Sequence, residues 1–212
     1  MLYNRCSEVD ENFWLDLAQA DPEDVRRRTG VRRHQQVFHV PYFNRELVVD
    51  LDRRRIFLAD APEEEPGFRR CLITLLYLLL MDTAALGPPI SPLELPGATM
   101  FFQSRGPHAL PSAPLEDRFG LDLAGFFEVG RGLGAEKRAG GDGALAFRVF
   151  PGLTVEVILW QGDEEFPAQV SFTVPSQLHR FWQLDAVLGL LGVVVKELLQ
   201  AAPPLETSAK VL

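Results

Sequence analysis

The residues of this 212-residue chain that combine reactive side chains with suggestive spacing lie first in Leu153 to Val174, LTVEVILWQGDEEFPAQVSFTV. Asp163, Glu164 and Glu165 occupy a polar turn bracketed by Trp160 and Phe166. Such carboxylates could supply hard oxygen ligands or a general acid–base pair. Adjacent carboxylates in one turn ordinarily point apart and stay solvated. Spacing alone provides neither the separation nor the contrast in acidity that two-carboxylate catalysis requires. The histidines, at 34, 39, 108 and 179, form no HxH or HxxxH pattern. His179, in LHRFWQLD, stands beside Phe181 and Trp182, where it could serve as an axial ligand or a base in an aromatic pocket. A hydrogen-bonded structural histidine is the simpler reading, and the same holds for His39 in FHVPYF.

Two other segments bear on a site. Glu94, Leu95, Pro96 and Gly97 make a compact turn ahead of Phe101 and Phe102, and backbone at Gly97 can approach a ligand closely. That turn is read either as a packed loop or as a ligand-contacting wall. Gly130, Gly132 and Gly134 in VGRGLGA resemble part of a dinucleotide fingerprint, but they follow a predicted helix rather than a strand, so helix termination is the better account. The chain carries no P-loop, GxSxG, HExxH or CxxC motif.

The elements that must position these residues follow from periodicity. Phe13, Trp14 and Leu17 share a helix face. Asp21, Pro22 and Gly30 delimit a second helix as cap, first-turn residue and C′ residue. His34 to Phe43 reads as strand, with Pro41 marking an edge or an end. Glu46 to Leu51 and Arg55 to Leu58 form a hairpin in which Val49 faces Ile56 and Leu47 faces Leu58. An apolar helix is expected from Pro66 to about Met81, two short helices over 115–119 and 123–133, a strand over 145–150, and a final apolar helix over 184–200. For Leu153 to Val174, a two-residue turn at Asp163 and Glu164 predicts the pairs Leu159–Ala168, Val157–Val170, Val155–Phe172 and Leu153–Val174. The stretch from Leu86 to Ser112 holds six prolines and three glycines. A long loop inside a compact domain usually has a function, and this one is expected to pack beside the acidic turn and wall a cleft.

Bulk properties narrow the function classes. The formal net charge of -8 argues against broad adhesion to nucleic acid or to anionic membrane, despite the arginine clusters at 26–28, 32–33 and 53–55. The longest apolar runs fall short of the ~20 residues that cross a bilayer. Cys6 and Cys71 are too few for a disulfide framework, and Cys71, in an apolar helix, reads as a small buried thiol. No signal peptide is evident and no oxidising compartment is required, so a cytoplasmic protein is expected.

FHVPYFNRE at 38–46, LELPG at 93–97, LWQGDEEFPA at 159–168 and WQLDAVLGLL at the start of the last helix occur in this order. Together they resemble a prokaryotic family, the domain-of-unknown-function family DUF3786. The likeness runs from about residue 10 to residue 200, and GDEEFP is its most specific part. Members are often joined to, or encoded near, iron–sulfur modules of anaerobic metabolism, which implies an accessory role in redox or metallocofactor chemistry. This chain has no cysteine-rich module, so such a link would run through a redox partner protein or another ligand.

These readings converge on a single α+β domain over 1–202 and a frayed tail over 203–212. Its expected core is an antiparallel sheet of about five or six strands packed on two apolar helices. The leading expectation for function is a non-catalytic protein that binds a small ligand or cofactor, with a metal–tetrapyrrole or related redox group as one candidate. Glu94, Gly97, Phe101, Phe102, Trp160, Asp163, Glu164, Glu165, His179 and Trp182 are the candidate ligand-binding residues, with neither a catalytic residue nor a metal ligand assigned. The alternatives are a hydrolase-like enzyme using the 163–165 carboxylates and a protein-interaction module presenting Trp160 and Phe166.

Overall fold

The computed structural model describes residues 5–204, and among them the chain has an α+β architecture with two antiparallel sheets. The helices are α1 (Glu11–Gln19), α2 (Pro22–Thr29), α3 (Phe68–Leu80), α4 (Ala98–Phe101), α5 (Ala113–Phe119), α6 (Leu123–Gly132) and α7 (Leu184–Ala201). The strands are β1 (Arg33–His34), β2 (Val37–Tyr42), β3 (Arg45–Asp50), β4 (Arg55–Leu58), β5 (Pro89–Ile90), β6 (Glu136–Arg138), β7 (Gly143–Phe150), β8 (Leu153–Trp160) and β9 (Gln169–Pro175). The expected single sheet is therefore two sheets, with strand orders β1-β2-β3-β4 and β5-β9-β8-β7-β6. They meet where the Phe43 N–H donates to the Val149 carbonyl at 3.3 Å and the Tyr42 ring packs against Phe150. The tail from residue 205 onward lies outside the described residues.

Local chemistry fixes several elements. Asp21 accepts the Glu23 N–H at 3.0 Å and so caps α2. Gly30 ends that helix at φ 75°, a left-handed conformation that costs glycine little. In the first sheet Val49 faces Ile56 and Leu47 faces Leu58. Asp50 closes the intervening turn by accepting the Arg53 N–H at 2.9 Å. Strand β8 alternates strictly: Leu153, Val155, Val157 and Leu159 are fully buried, while the residues between them face outward. Each such side chain contributes about 1.5–3 kcal/mol by leaving water. Helices α5 and α6 pack on β9 and β7, and α7 packs on α3, α5 and α6.

One polar group is buried at the helix seam. Arg70 of α3 and Glu197 of α7 form an ion pair, with side chains 8% and 7% exposed. The Tyr42 hydroxyl of β2 donates to the same Glu197 oxygen at 2.8 Å. The Arg70 guanidinium lies 5.4 Å from the Tyr42 ring centroid. Burial, with the Glu197 carboxylate beside it, holds the Tyr42 hydroxyl well above the ordinary tyrosine range, so it remains a donor.

Two expectations are corrected. Cys71 is buried, but it is no free thiol: it is bonded to Cys6, with a Cα–Cα distance of 5.4 Å across 65 residues of sequence. The Pro-rich stretch 86–112 supplies no residue to the lining of the cleft beneath the acidic turn. Its strand β5 pairs Pro89 with Pro175 and Ile90 with Val174, at the far end of β9. Six residues of strand, roughly 20 Å, separate that end from Gln169, which pairs with Trp160.

Candidate functional site

The hairpin tip spans Gln161 to Ala168, longer than a two-residue turn, and it is organised by Asp163. The Asp163 carboxylate accepts the N–H groups of Glu165 at 2.8 Å and Phe166 at 2.7 Å. Its own N–H donates to the Phe166 carbonyl at 2.9 Å. Those two backbone N–H groups, Phe166 first, hold the carboxyl below its usual range. Pro167 has no N–H to give a ladder, so pairing resumes only at Gln169. The observed pairs are Leu159–Val170, Val157–Phe172 and Glu156–Thr173, each displaced by two residues from the predicted register. A displacement of two keeps every side chain on its predicted face.

The tip folds over the end of α5. The Gly162 N–H donates to the Gly120 carbonyl at 3.0 Å, and Glu116 accepts the Val170 N–H at 3.0 Å. A Cβ at Gly120 would lie 2.4 Å from the Glu116 carbonyl oxygen and 2.5 Å from the Ala168 Cβ, so glycine permits this approach. Between the two elements lies a cleft of about 470 Å³, lined by Glu116–Arg118, Gly120–Asp122 and residues 162, 163 and 166–168. Asp122 caps α6 by accepting the Gly125 N–H at 2.8 Å and pairs with Arg118 at 3.2 Å. The Gly125 N–H, and after it Arg118, hold the Asp122 carboxyl below its usual range. Leu121 and Phe166 project into solvent, 84% and 64% exposed.

The candidate residues divide into separate regions. Asp163 lines the cleft, whereas Glu164 and Glu165 are exposed beside it. Trp160 is outward on β8, on the face opposite buried Leu159, and is not a lining residue. His179 and Trp182 belong to the other end of β9. There the His179 Nδ1 donates to the Ser176 carbonyl at 3.0 Å, which fixes the tautomer because a carbonyl only accepts. Trp182 is buried, and its indole N–H has no hydrogen-bond partner among the described residues. Glu94 caps its own 3₁₀ turn through the Ser91 N–H at 2.9 Å. A Cβ at Gly97 would sit 3.8 Å from Leu184, which places this loop against the start of α7. Phe101 stacks on His108 with centroids 4.4 Å apart, and Phe102 is buried against it.

Residues 116–122, EDRFGLD, form the wall that the sequence left unmarked. Their one visible signal is Asp122 as a cap for α6, and nothing local ties them to a hairpin about 40 residues later. Among the described residues no three His, Cys, Asp or Glu side chains gather as metal ligands would. The cleft lining contains no His, Cys, Met or Tyr, so it does not fit the axial ligation of a metal–tetrapyrrole.

The structure thus defines an α+β protein with an open cleft under an acidic hairpin tip. Residues 21–197 match the family model described as Domain of unknown function (DUF3786), and the chain belongs to that family. No curated protein and no solved structure matches the chain. No helix among the described residues is long and apolar enough to cross a membrane.

Proposed function

We propose that this chain is a non-catalytic accessory protein that binds a small organic ligand in the cleft beneath the hairpin tip. One observation carries the reading. Three carboxylates of the cleft, those of Glu116, Asp122 and Asp163, are already engaged by backbone N–H groups of the fold. Leu121 and Phe166, in contrast, stand exposed at its rim. Carboxylates that hold the architecture are poorly placed to exchange protons with a substrate, whereas an unpartnered apolar rim gains from being covered. A volume of about 470 Å³ falls in the usual range of small-molecule sites, roughly 300–1,000 Å³. The ligand's chemistry is an apolar body with a cationic group, because the lining carries four carboxylates against Arg118 alone. A cytoplasmic setting and a supporting role in redox metabolism belong to this proposal, the latter through the family's association with iron–sulfur modules.

Native mass spectrometry of gently purified protein, combined with amide NMR titration of a panel of organic cations and redox cofactors, tests it. The expected result is an adduct or a saturable shift confined to residues 116–122 and 162–168, abolished by Leu121→Ser with Phe166→Ser. A bare mass and no shift across the panel would overturn the binding reading. Turnover of any hydrolase substrate that disappears in Glu116→Gln or Asp163→Asn would overturn the non-catalytic one. The second reading, a protein-interaction module, is favoured by the exposure of both rim side chains. It predicts that the same double variant releases a bound protein rather than a small molecule.

A further inference from the structure

A second concavity, of about 320 Å³, lies where α2 meets β1 and shares no lining residue with the cleft under the hairpin tip. Its walls are Pro22, Glu23, Arg26, Arg32, Arg33 and His34. Positive charge gathers here: residues 21–34 hold five of the chain's 21 lysines and arginines but three of its 29 acidic residues. Those three acids are already committed. Asp21 caps α2 through the Glu23 N–H, Glu23 pairs with Arg26 at 2.7 Å, and Asp24 pairs with Arg27 and Arg28. Arg32 and Arg33 therefore line the pocket without a carboxylate of their own. Arg32 is exposed and has no hydrogen bond or ion pair among the described residues. Arg33 is half-buried and held by neutral oxygens alone. Its Nε donates to the Gln35 carbonyl at 2.7 Å, one Nη to the Ala18 carbonyl at 3.1 Å, and the other Nη to the Gln36 side chain.

We infer that this pocket binds a small phosphate-bearing anion, with Arg32 and Arg33 as its charge partners and His34 as a further donor. Three guanidiniums against one carboxylate leave the lining with two positive charges in excess, on a chain whose net charge is -8. An oxyanion supplies the counter-charge that the fold withholds, and guanidinium N–H groups match its oxygens two at a time. Of the five N–H groups of a guanidinium, Arg33 spends three within the fold, so two remain for a ligand. The three spent bonds also fix the group before a ligand arrives, so binding costs little side-chain freedom. Their anchor is itself held: the Leu51 N–H donates to the Gln36 carbonyl at 2.9 Å, and Gln35 keeps φ 55°, left-handed, at the β1–β2 turn. His34 offers a ring N–H in either tautomer. The pocket is larger than a bare phosphate, yet it sits at the small end of organic-ligand sites, roughly 300–1,000 Å³. Those dimensions favour a phosphomonoester with a short carbon skeleton over a polymer.

Amide NMR titration of the full chain at physiological ionic strength tests this, with inorganic phosphate, glycerol phosphate, succinate and an acidic peptide as probes. The expected result is a saturable shift over residues 32–36 with both phosphates, tighter for glycerol phosphate, and no saturation with succinate or the peptide. Arg32→Gln removes a charge that no contact of the fold uses. It should weaken phosphate binding on the order of 10-fold and leave Tm unchanged. Arg27→Gln removes an equal charge from α2 outside the pocket, where solvent screens it, and should change affinity by less than about 2-fold. Absence of a saturable phosphate shift, an equal loss in Arg27→Gln and Arg32→Gln, or binding of succinate as tight as that of glycerol phosphate would each overturn the inference. Saturation by the acidic peptide alone would overturn it in favour of a protein partner.

Discussion

At the seam of α3 and α7 the Glu197 carboxylate is removed from water and satisfied by Tyr42 and Arg70. Beneath the hairpin tip, Asp122 and Asp163 stay near the surface and are satisfied by backbone N–H groups. The first arrangement joins three elements far apart in sequence, so its loss is felt throughout the fold. The second joins neighbours, so its loss stays local and leaves the rest of the cleft standing. Breaking the buried group strands a charge out of water, while the surface group shapes a site that can change with little effect on the fold.

The sharpest way to break this contrast is Glu197→Ala. It leaves Arg70 charged and buried without its partner, and urea unfolding should show a loss of about 3–5 kcal/mol. Replacing both residues, with Arg70→Met and Glu197→Leu, should recover most of that loss, and failure to recover would mean that the pair does more than neutralise itself. Gly120→Ala comes next. Its Cβ would collide with Glu116 and Ala168, so the tip must move off α5 at a cost of about 1–3 kcal/mol, with amide shifts centred on Gly162.

Asp122→Ala should cost about 1 kcal/mol as a lost helix cap. It should also reduce acid sensitivity. The carboxyls of Asp122 and Asp163 are held below their unfolded range, so their contribution is complete above that range and is lost as pH falls through the lowered folded-state values. The gap between the urea midpoints at pH 7 and pH 3 should therefore narrow in the variant. Smallest of all, Leu121→Ser with Phe166→Ser should change stability by no more than about 0.5 kcal/mol while abolishing ligand-induced shifts. A large stability loss would show that the rim belongs to the core.

What could be read from the sequence was local. Asp21, Pro22 and Gly30 specified α2 because cap, first-turn and C′ residues act on their immediate neighbours. The β3–β4 register followed from a short turn between alternating runs. The β8–β9 register missed by two because Asp163 folds the tip upon itself and Pro167 cannot join the ladder. Strand β6, whose residues Glu136, Lys137 and Arg138 are all exposed, has no apolar alternation to betray it. The site was half legible. GDEEFP pointed to the tip, but its opposite wall comes from α5, and the Pro-rich stretch that seemed to supply it is drawn away by β5. Both that pairing and the Cys6–Cys71 bond are long-range contacts that leave no periodic trace.

The margins of the second sheet have a consequence of their own. Along one border runs β6, bristling with Glu136, Lys137 and Arg138. Along the other, β5 reaches only Val174 and Pro175, so Gln169 to Thr173 of β9 make up most of that margin. There the Val170 N–H is already taken by the Glu116 carboxylate of α5. A foreign strand would anneal along that stretch only by dislodging Glu116, and with it one wall of the cleft.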